Sequence, residues 1–247
     1  LNKKDLGNLE RVLRESYGII SKEIVPITLR SKNEGIFYLN DRTGNKYIFK
    51  FKNKDKNRAE LLSEVAESVP DIFPKNYPRI DSQKYTVELG DGFYGLESFV
   101  EGETKERNLE YFSLIGENIG KLHQEFEHFL RNHPKTDEFL GQSHSSLSES
   151  NLISLYLDIF LDNSDEFLLS ELERLVHRNF SSKATSSQKT LIHRDLNQSN
   201  ILWVNDSPII IDSESMGITE KINEFAPALL LQGNRNRPNY VPNSMDF

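Results

Sequence analysis

The sequence contains no cysteine among its 247 residues. Disulfide bonds and thiolate metal sites are therefore excluded. It also lacks any apolar run near the roughly 20 residues that a membrane-spanning helix needs, and no signal-peptide pattern opens it. We therefore expect a cytoplasmic protein with no membrane partner. The length is sufficient for a substantial core, in one domain or in two tightly packed lobes.

The whole chain has a net charge of −8. Basic residues are scarce in its second part. Residues 1–100 carry 17 Lys+Arg and 15 Asp+Glu, a net charge of +2, whereas residues 101–247 carry 13 and 23, a net charge of −10. An acidic surface disfavours nucleic acid as a partner, because affinity for phosphates comes from Lys and Arg. It favours a cationic ligand or bound Mg²⁺. The alternative is that the acidic surface only keeps the protein soluble.

Residues 1–100 have the pattern of a β-rich unit. β-branched and aromatic residues cluster between polar turns, which predicts short strands at 24–29, 36–39, 46–51, 84–89 and 94–100. Apolar residues at helical spacing predict a helix over 58–68. Three prolines between residues 70 and 78 end that helix.

After Gly102 the pattern becomes mainly helical. Apolar residues at helical spacing from Phe112 to Phe129 predict a long amphipathic helix. Two further helices are predicted at 151–161 and 165–178, between serine-rich loops at 141–150 and 181–189. Apolar runs at 190–193, 200–204 and 208–212 follow. We therefore predict an α+β protein with a β-rich lobe over 1–100 and a mainly helical lobe over 101–247.

The stretch "LIHRDLNQSN", residues 191–200, carries the most specific chemistry. Asp195 follows a histidine and an arginine, and Asn200 comes five positions later. This spacing is typical of a catalytic loop for phosphoryl transfer. The aspartate would orient an acceptor hydroxyl and take up its proton, and the asparagine oxygen would bind Mg²⁺ without adding charge. The alternative is a polar turn in which both side chains cap backbone groups.

Two further positions fit the same chemistry. Asp212 ends the apolar run "IIID", 17 residues after Asp195, where a carboxylate could chelate a metal that bridges phosphates. Lys50 ends an aromatic strand and could reach the phosphates if a helix carboxylate holds it; Glu60 and Glu64 are the candidates, and Glu64 is preferred because it lies nearer the helix middle. The other basic residues of this run, Lys52 among them, are expected to be mostly solvated surface.

The turn "RSKNEGIF" between the first two predicted strands is a weaker signal. Backbone N–H groups of residues 31–35 could face phosphates. The turn holds one glycine rather than several, so an ordinary hairpin loop is an equal alternative.

These motifs together resemble the protein-kinase-like fold, and within it the branch of aminoglycoside phosphotransferases and choline kinases. The likeness runs from about residue 24 to residue 226 and is most specific in "LIHRDLNQSNILW" and "IIIDSES". It implies a bilobal fold, ATP as phosphoryl donor with GTP not excluded, Mg²⁺, and a hydroxyl of a small molecule as acceptor.

The resemblance also implies roles for individual residues. Asp195 would be the catalytic base, Asn200 and Asp212 the Mg²⁺ ligands, and Lys50 the phosphate-binding lysine paired with Glu64.

A second group of implied roles concerns the connection between the lobes. "ESFVEGE" resembles the hinge of that branch, where backbone groups near Ser98 and Val100 would hold adenine. His123, in "IGENIGKLH", would be structural. "INEFA" resembles a later Asp-Leu-Ala element, with Glu224 in place of the aspartate.

Departures from the pattern decide between branches. Arg194 is the residue of protein kinases, whereas Asn197 and "DSES" favour the small-molecule branch. Only 35 residues follow Asp212, fewer than that branch generally has. This short segment indicates that either the chain is incomplete or the acceptor site is built differently. The start at Leu1 rather than methionine would also fit a fragment of a longer chain.

The sequence thus predicts a kinase for a small-molecule hydroxyl. Acidic residues of the second lobe, such as Asp158 and Asp162, favour an amine-bearing acceptor such as an aminoglycoside or an amino alcohol. A protein serine/threonine kinase is the alternative that Arg194 favours. A non-catalytic nucleotide-binding pseudokinase is the alternative that the glycine-poor turn favours.

Overall fold

A computed structural model describes residues 3–27, 35–105, 109–136, 140, 189–220 and 224. The predicted helices at 151–161 and 165–178, the serine-rich loops, most of the 30–35 turn and the acidic residues Asp158 and Asp162 lie outside these residues. Within the described part of the chain, no helix is long and apolar enough to cross a membrane.

The first part of the chain is a five-stranded antiparallel sheet with a helix on each face. Its strands are β1 (Ser21–Ile27), β2 (Ile36–Asp41), β3 (Lys46–Asn53), β4 (Thr86–Leu89) and β5 (Gly92–Ser98), in the spatial order β1-β2-β3-β5-β4. Helix α1 (Lys3–Tyr17) precedes the sheet, and helix α2 (Lys56–Glu67) connects β3 to β4.

The faces of the sheet follow from the alternation of its side chains. Phe37, Phe49 and Leu96 point to one side and pack with Leu9 and Leu13 of α1. Lys50 and Lys52 point to the other side, because successive residues of a strand alternate between faces. The second side faces α2 and the rest of the molecule.

The second part of the chain brings four short strands against a long helix. Helix α3 (Leu109–Asn132) packs on a second core that it shares with α2. Strands β6 (Lys189–Ile192) and β9 (Gly217–Glu220) form one antiparallel pair, and β7 (Ile201–Val204) and β8 (Ser207–Ile210) form another. The loops that carry the sequence motifs therefore run from β6 to β7 and from β8 to β9.

Close backbone contact joins the two parts. The Glu103 and Trp203 backbones exchange hydrogen bonds of 3.1 and 2.8 Å. A Cβ atom on Gly102 would lie 2.9 Å from Cβ of Leu202 and 3.0 Å from the carbonyl oxygen of Trp203. Glycine is therefore the residue that lets the segment after β5 lie directly on β7.

Candidate active site

The two motif loops meet at one end of the short strand pairs. The β6–β7 loop carries Asp195 and Asn200, and the β8–β9 loop carries Asp212. The backbone N–H of Ile211 donates to the carbonyl oxygen of Asn200 at 2.8 Å. This bond places the two loops side by side.

Two amides hold the Asp195 carboxylate. Nδ2 of Asn197 donates to Oδ1 at 2.7 Å, and Nδ2 of Asn200 donates to Oδ2 at 2.8 Å and to the Asp195 carbonyl oxygen at 3.0 Å. Asn197 also caps the short 3₁₀ helix Gln198–Asn200 by accepting from the backbone N–H of Ser199. Because the Asn200 nitrogen is engaged by Asp195, its Oδ1 is the atom that it can offer to a cation.

A buried carboxylate fixes the backbone just before Asp195. Glu224, 2% exposed, accepts hydrogen bonds from the backbone N–H groups of His193 at 2.7 Å and Arg194 at 2.8 Å. Arg194 has a left-handed backbone, with φ of 73°, which a non-glycine residue adopts only where its surroundings hold it. His123 Nε2 also lies 3.3 Å from Glu224; the structural role of this histidine stays a prediction.

The histidine of the motif is part of the core. His193 is fully buried and stacks on Phe73, with ring centroids 6.0 Å apart. Burial lowers the pKa of His193, so its ring is neutral near pH 7. The backbone N–H of Asp195 donates to His193 Nδ1 at 3.3 Å. The ring therefore supports the loop instead of exchanging protons with a ligand.

Asp212 lies in a concentration of negative charge. Its backbone is left-handed, with φ of 67°. A hydrogen bond with the Glu214 carboxyl and burial, together with the charges of Glu214 and Asp195, raise the pKa of Asp212 to about 8, although Lys50 opposes this shift. Carboxylates gathered in this way favour a cation among them.

Asp212 and Asn200 fit a hard divalent cation only when substrate phosphates supply further ligands. In the described part of the chain, no three histidine, aspartate or glutamate side chains form a metal site by themselves. Oxygens of Asp212 and Asn200 are the ligand type that Mg²⁺ prefers, and Mg²⁺ is commonly bound by one or two protein groups together with substrate phosphates.

Lys50 lies beside Asp212, but the prediction that Glu64 is its partner is wrong. Its Nζ is 3.9 Å from Asp212, 3.0 Å from Glu214 and 3.1 Å from Glu97. Within the described residues, no ion pair joins it to Glu64, whose side chain is on the exposed face of α2 while Lys50 is buried.

The other helix candidate is also engaged elsewhere. The Glu60 carboxylate accepts hydrogen bonds from the backbone N–H groups of Tyr85 and Thr86 and from the Thr86 hydroxyl. Ser63 of α2, fully buried, lies near Gly95 of β5, where the Lys52 side chain also passes.

Sequence reasoning missed two charged residues of this site, Lys52 and Glu97. Lys52, expected to be solvated, is 1% exposed, and it forms ion pairs with Glu97 and Glu214. One available signal was spacing, since Lys50 and Lys52 are two residues apart on one strand and must share a face. Glu97 gave no comparable signal, because its partners come from another strand.

The predicted hinge residues lie where the sheet ends. The Ser98 N–H and hydroxyl contact the Lys75 backbone at 2.9 and 3.1 Å, and the Phe99 N–H donates to Lys46 at 3.1 Å. Val100 follows, half-buried. The adenine-binding role of Ser98 and Val100 stays a prediction.

Comparison with known proteins agrees with this geometry. A family model described as the phosphotransferase enzyme family matches residues 24–243. No curated protein sequence matches the chain.

Solved structures share the fold at low sequence identity. The amicoumacin kinase hAmiN, solved with AMP-PNP, Ca²⁺ and its antibiotic, has a TM-score of 0.65 at 15% identity, over 98% of this chain and 75% of that one. Spectinomycin phosphotransferase APH(9)-Ia has a TM-score of 0.59 at 18% identity, over 88% and 71%. A variant of an aminoglycoside 2′-phosphotransferase bound to GDP has a TM-score of 0.55 at 15% identity, over 93% and 78%.

The predicted α+β, protein-kinase-like fold is therefore confirmed. The family match over residues 24–243 shows that this chain belongs to the phosphotransferase enzyme family, and it is a kinase.

Proposed function

We propose that this kinase transfers the γ-phosphoryl group of ATP, with Mg²⁺, to a hydroxyl of an amine-bearing small molecule. The observation that carries the proposal is the convergence of Asp195, Asn200, Asp212 and Lys50 on one place, formed by two loops and a strand. Phosphoryl transfer depends on positioning and electrostatic stabilisation more than on covalent chemistry, and these groups supply both.

Each group has one task in this proposal. Asp195 orients the acceptor hydroxyl and takes its proton as the oxygen attacks phosphorus. Asn200 and Asp212 would hold Mg²⁺, which supplies neutralisation of the phosphate charge. Lys50 binds the phosphates. Ser98 and Val100 would contact the base through their backbones.

The nature of the acceptor is supported by likeness and charge. Proteins of this fold are named for amicoumacin, spectinomycin and aminoglycosides as ligands or substrates, and residues 101–247 carry a net charge of −10, which favours cationic acceptors. One relative is bound to GDP and others to AMP-PNP or ADP, so both ATP and GTP should be tested as donors.

The test is a panel of acceptors assayed with Mg-ATP and Mg-GTP. We expect product formation with an aminoglycoside, spectinomycin or an amino alcohol, and none when Asp195 is replaced by asparagine. Phosphorylation of protein substrates with no small-molecule product would favour the protein-kinase alternative. Tight nucleotide binding without turnover on any acceptor would favour the pseudokinase.

A further inference from the structure

Lys50 belongs to a closed ring of four charged side chains, whose other members are Lys52, Glu97 and Glu214. The Glu97 carboxylate contacts Lys50 through Oε2, at 3.1 Å, and Lys52 through Oε1. The Glu214 carboxylate does the same, with 3.0 Å from Oε2 to Lys50 and 2.8 Å from Oε1 to Lys52. Positive and negative charges alternate around the ring, and its net charge is zero.

The ring replaces the ion pair between strand and helix that the sequence predicted. One carboxylate comes from β5 and the other from the loop after β8, whereas α2 contributes the small residue Ser63. A Cβ atom on Gly95 would lie 3.0 Å from Cε and 3.3 Å from Cγ of Lys52, and 3.7 Å from the Ser63 hydroxyl. Gly95 and Ser63 therefore leave the space through which the Lys52 side chain reaches the ring.

The two lysines have different access to the proposed phosphate site. The Lys52 side chain is 0% exposed, whereas the Lys50 side chain is 8% exposed and its Nζ is also 3.9 Å from Asp212. Lys50 is thus the lysine next to the proposed metal site, and Lys52 lies behind it with no route to a ligand.

The balance of charges in the ring explains why a second lysine would be needed. When phosphates draw Lys50 toward them, the carboxylates of Glu97 and Glu214, whose side chains are 6% and 17% exposed, lose a cation, and a buried charge left without a partner is strongly destabilising. Lys52 contacts both carboxylates, so it can neutralise them while Lys50 is engaged by phosphate.

We propose that Lys52 is a positioning residue for nucleotide binding: it holds Glu97 and Glu214 so that Lys50 can move to the phosphates. The inference rests on the proposed function, since it takes the ligand to be a nucleoside triphosphate. Its distinctive consequence is that the effects of ring substitutions follow the net charge of the ring.

The test compares three variants by calorimetric titration with Mg-ATP and Mg-GTP. Lys52→Met leaves one lysine between two carboxylates, so Kd for the triphosphate that the wild-type protein binds should rise by about tenfold or more. Glu97→Gln removes a negative charge that retains Lys50, so Kd should fall severalfold. The double variant restores a neutral ring, so Kd should return to within about threefold of the wild-type value.

Controls separate electrostatics from folding. Binding of the corresponding nucleoside, without phosphates, should be unchanged in all three variants, and melting temperatures establish that each is folded. Lys54→Met is the matched control, because Lys54 directly follows the end of β3 and its side chain is 76% exposed. This variant should bind nucleotide like the wild type.

The outcomes decide between the two proposals. If wild-type protein binds a triphosphate but Lys52→Met binds equally well, or if Glu97→Gln weakens binding and the double variant is weakest, Lys52 has only a structural role. If Lys52→Met does not fold, the direction in which Kd changes in Glu97→Gln and in the double variant still distinguishes the positioning role of Lys52 from a purely structural one. If wild-type protein binds neither triphosphate, the proposed function fails, and the role of Lys52 fails with it.

Discussion

The side-chain nitrogen of Asn200 lies 2.8 Å from Oδ2 of Asp195 and 3.0 Å from its carbonyl oxygen. One amide thereby fixes both the carboxylate and the backbone of the residue that we propose as the base. The same contact leaves Oδ1 as the side-chain atom of Asn200 that would hold the proposed cation. In the proposed mechanism, catalysis and metal binding would therefore both depend on this side chain.

Replacement of Asp195 by asparagine should sharply reduce turnover, because it removes the proposed base and also one of the two acceptors for the side-chain amides of Asn197 and Asn200. The amide keeps the size of the carboxylate but cannot accept a proton, and general-base catalysis contributes about 10² to 10⁴-fold. We expect kcat to fall by that factor, with KM for nucleotide within about threefold, in a steady-state assay. Asp91→Asn, at a side chain 87% exposed, is the control. Near-normal kcat in Asp195→Asn would show that another group acts as the base.

Removal of metal should abolish turnover, and Asn200 should set the metal requirement. We expect EDTA to stop the wild-type reaction and added Mg²⁺ to restore it. Asn200→Ala removes a proposed ligand and the hold on Asp195, so it should raise the Mg²⁺ concentration for half-maximal rate by about tenfold or more and also lower kcat. A variant with a lowered kcat but an unchanged Mg²⁺ requirement would leave Asn200 with only the positioning role.

Substitution of Glu224 by alanine should loosen the catalytic loop. Two backbone N–H groups, the buried one of His193 and the partly buried one of Arg194, would lose their acceptor, at a cost of about 1–3 kcal/mol for a fully buried group. We expect the free energy of unfolding in urea to fall by at least about 2 kcal/mol and kcat to fall more than nucleotide affinity. Unchanged stability would mean that water or another group replaces the carboxylate.

The turn between β2 and β3 should give the sheet an acid-sensitive stability. Burial opposes ionisation of Asp41, but hydrogen bonds from Thr43 and Asn45 prevail and lower its pKa to about 2 from an ordinary value of 3.8. A lowered pKa stabilises the fold fully above pH 3.8, and this contribution is lost as pH falls toward 2. Asp41→Asn should therefore destabilise the protein at pH 6 and less so at pH 3, measured by urea unfolding. If the difference in the free energy of unfolding between the wild type and Asp41→Asn is the same at pH 6 and pH 3, Asp41 contributes through packing instead of charge.

Most elements of the sheet and both motif loops were predictable from sequence, because their signals are local. Strand β3 follows from its aromatic and β-branched residues, helix α2 follows from the helical spacing of its apolar residues, and the β6–β7 loop follows from motif spacing. Helix α1 was missed although Leu9, Leu13 and Tyr17 recur every four residues, a spacing that predicts one buried face.

The partner of Lys50 could not be predicted in the same way. Glu64 was preferred because it lies near the middle of the predicted helix, but the rotation of α2 turns Ser63 toward the sheet and Glu64 toward solvent. Glu97 and Glu214 reach Lys50 only through strand pairing and the approach of the β8–β9 loop. These are non-local contacts, which no local pattern encodes.

The most direct test of the central claim is mass spectrometry of acceptor and nucleotide after incubation with Mg²⁺ and a γ-labelled triphosphate. The wild-type protein should transfer one labelled phosphoryl group to a hydroxyl of an amine-bearing small molecule, and Asp195→Asn should not. Labelled inorganic phosphate alone across the acceptor panel, or equal product from both proteins, would contradict the account.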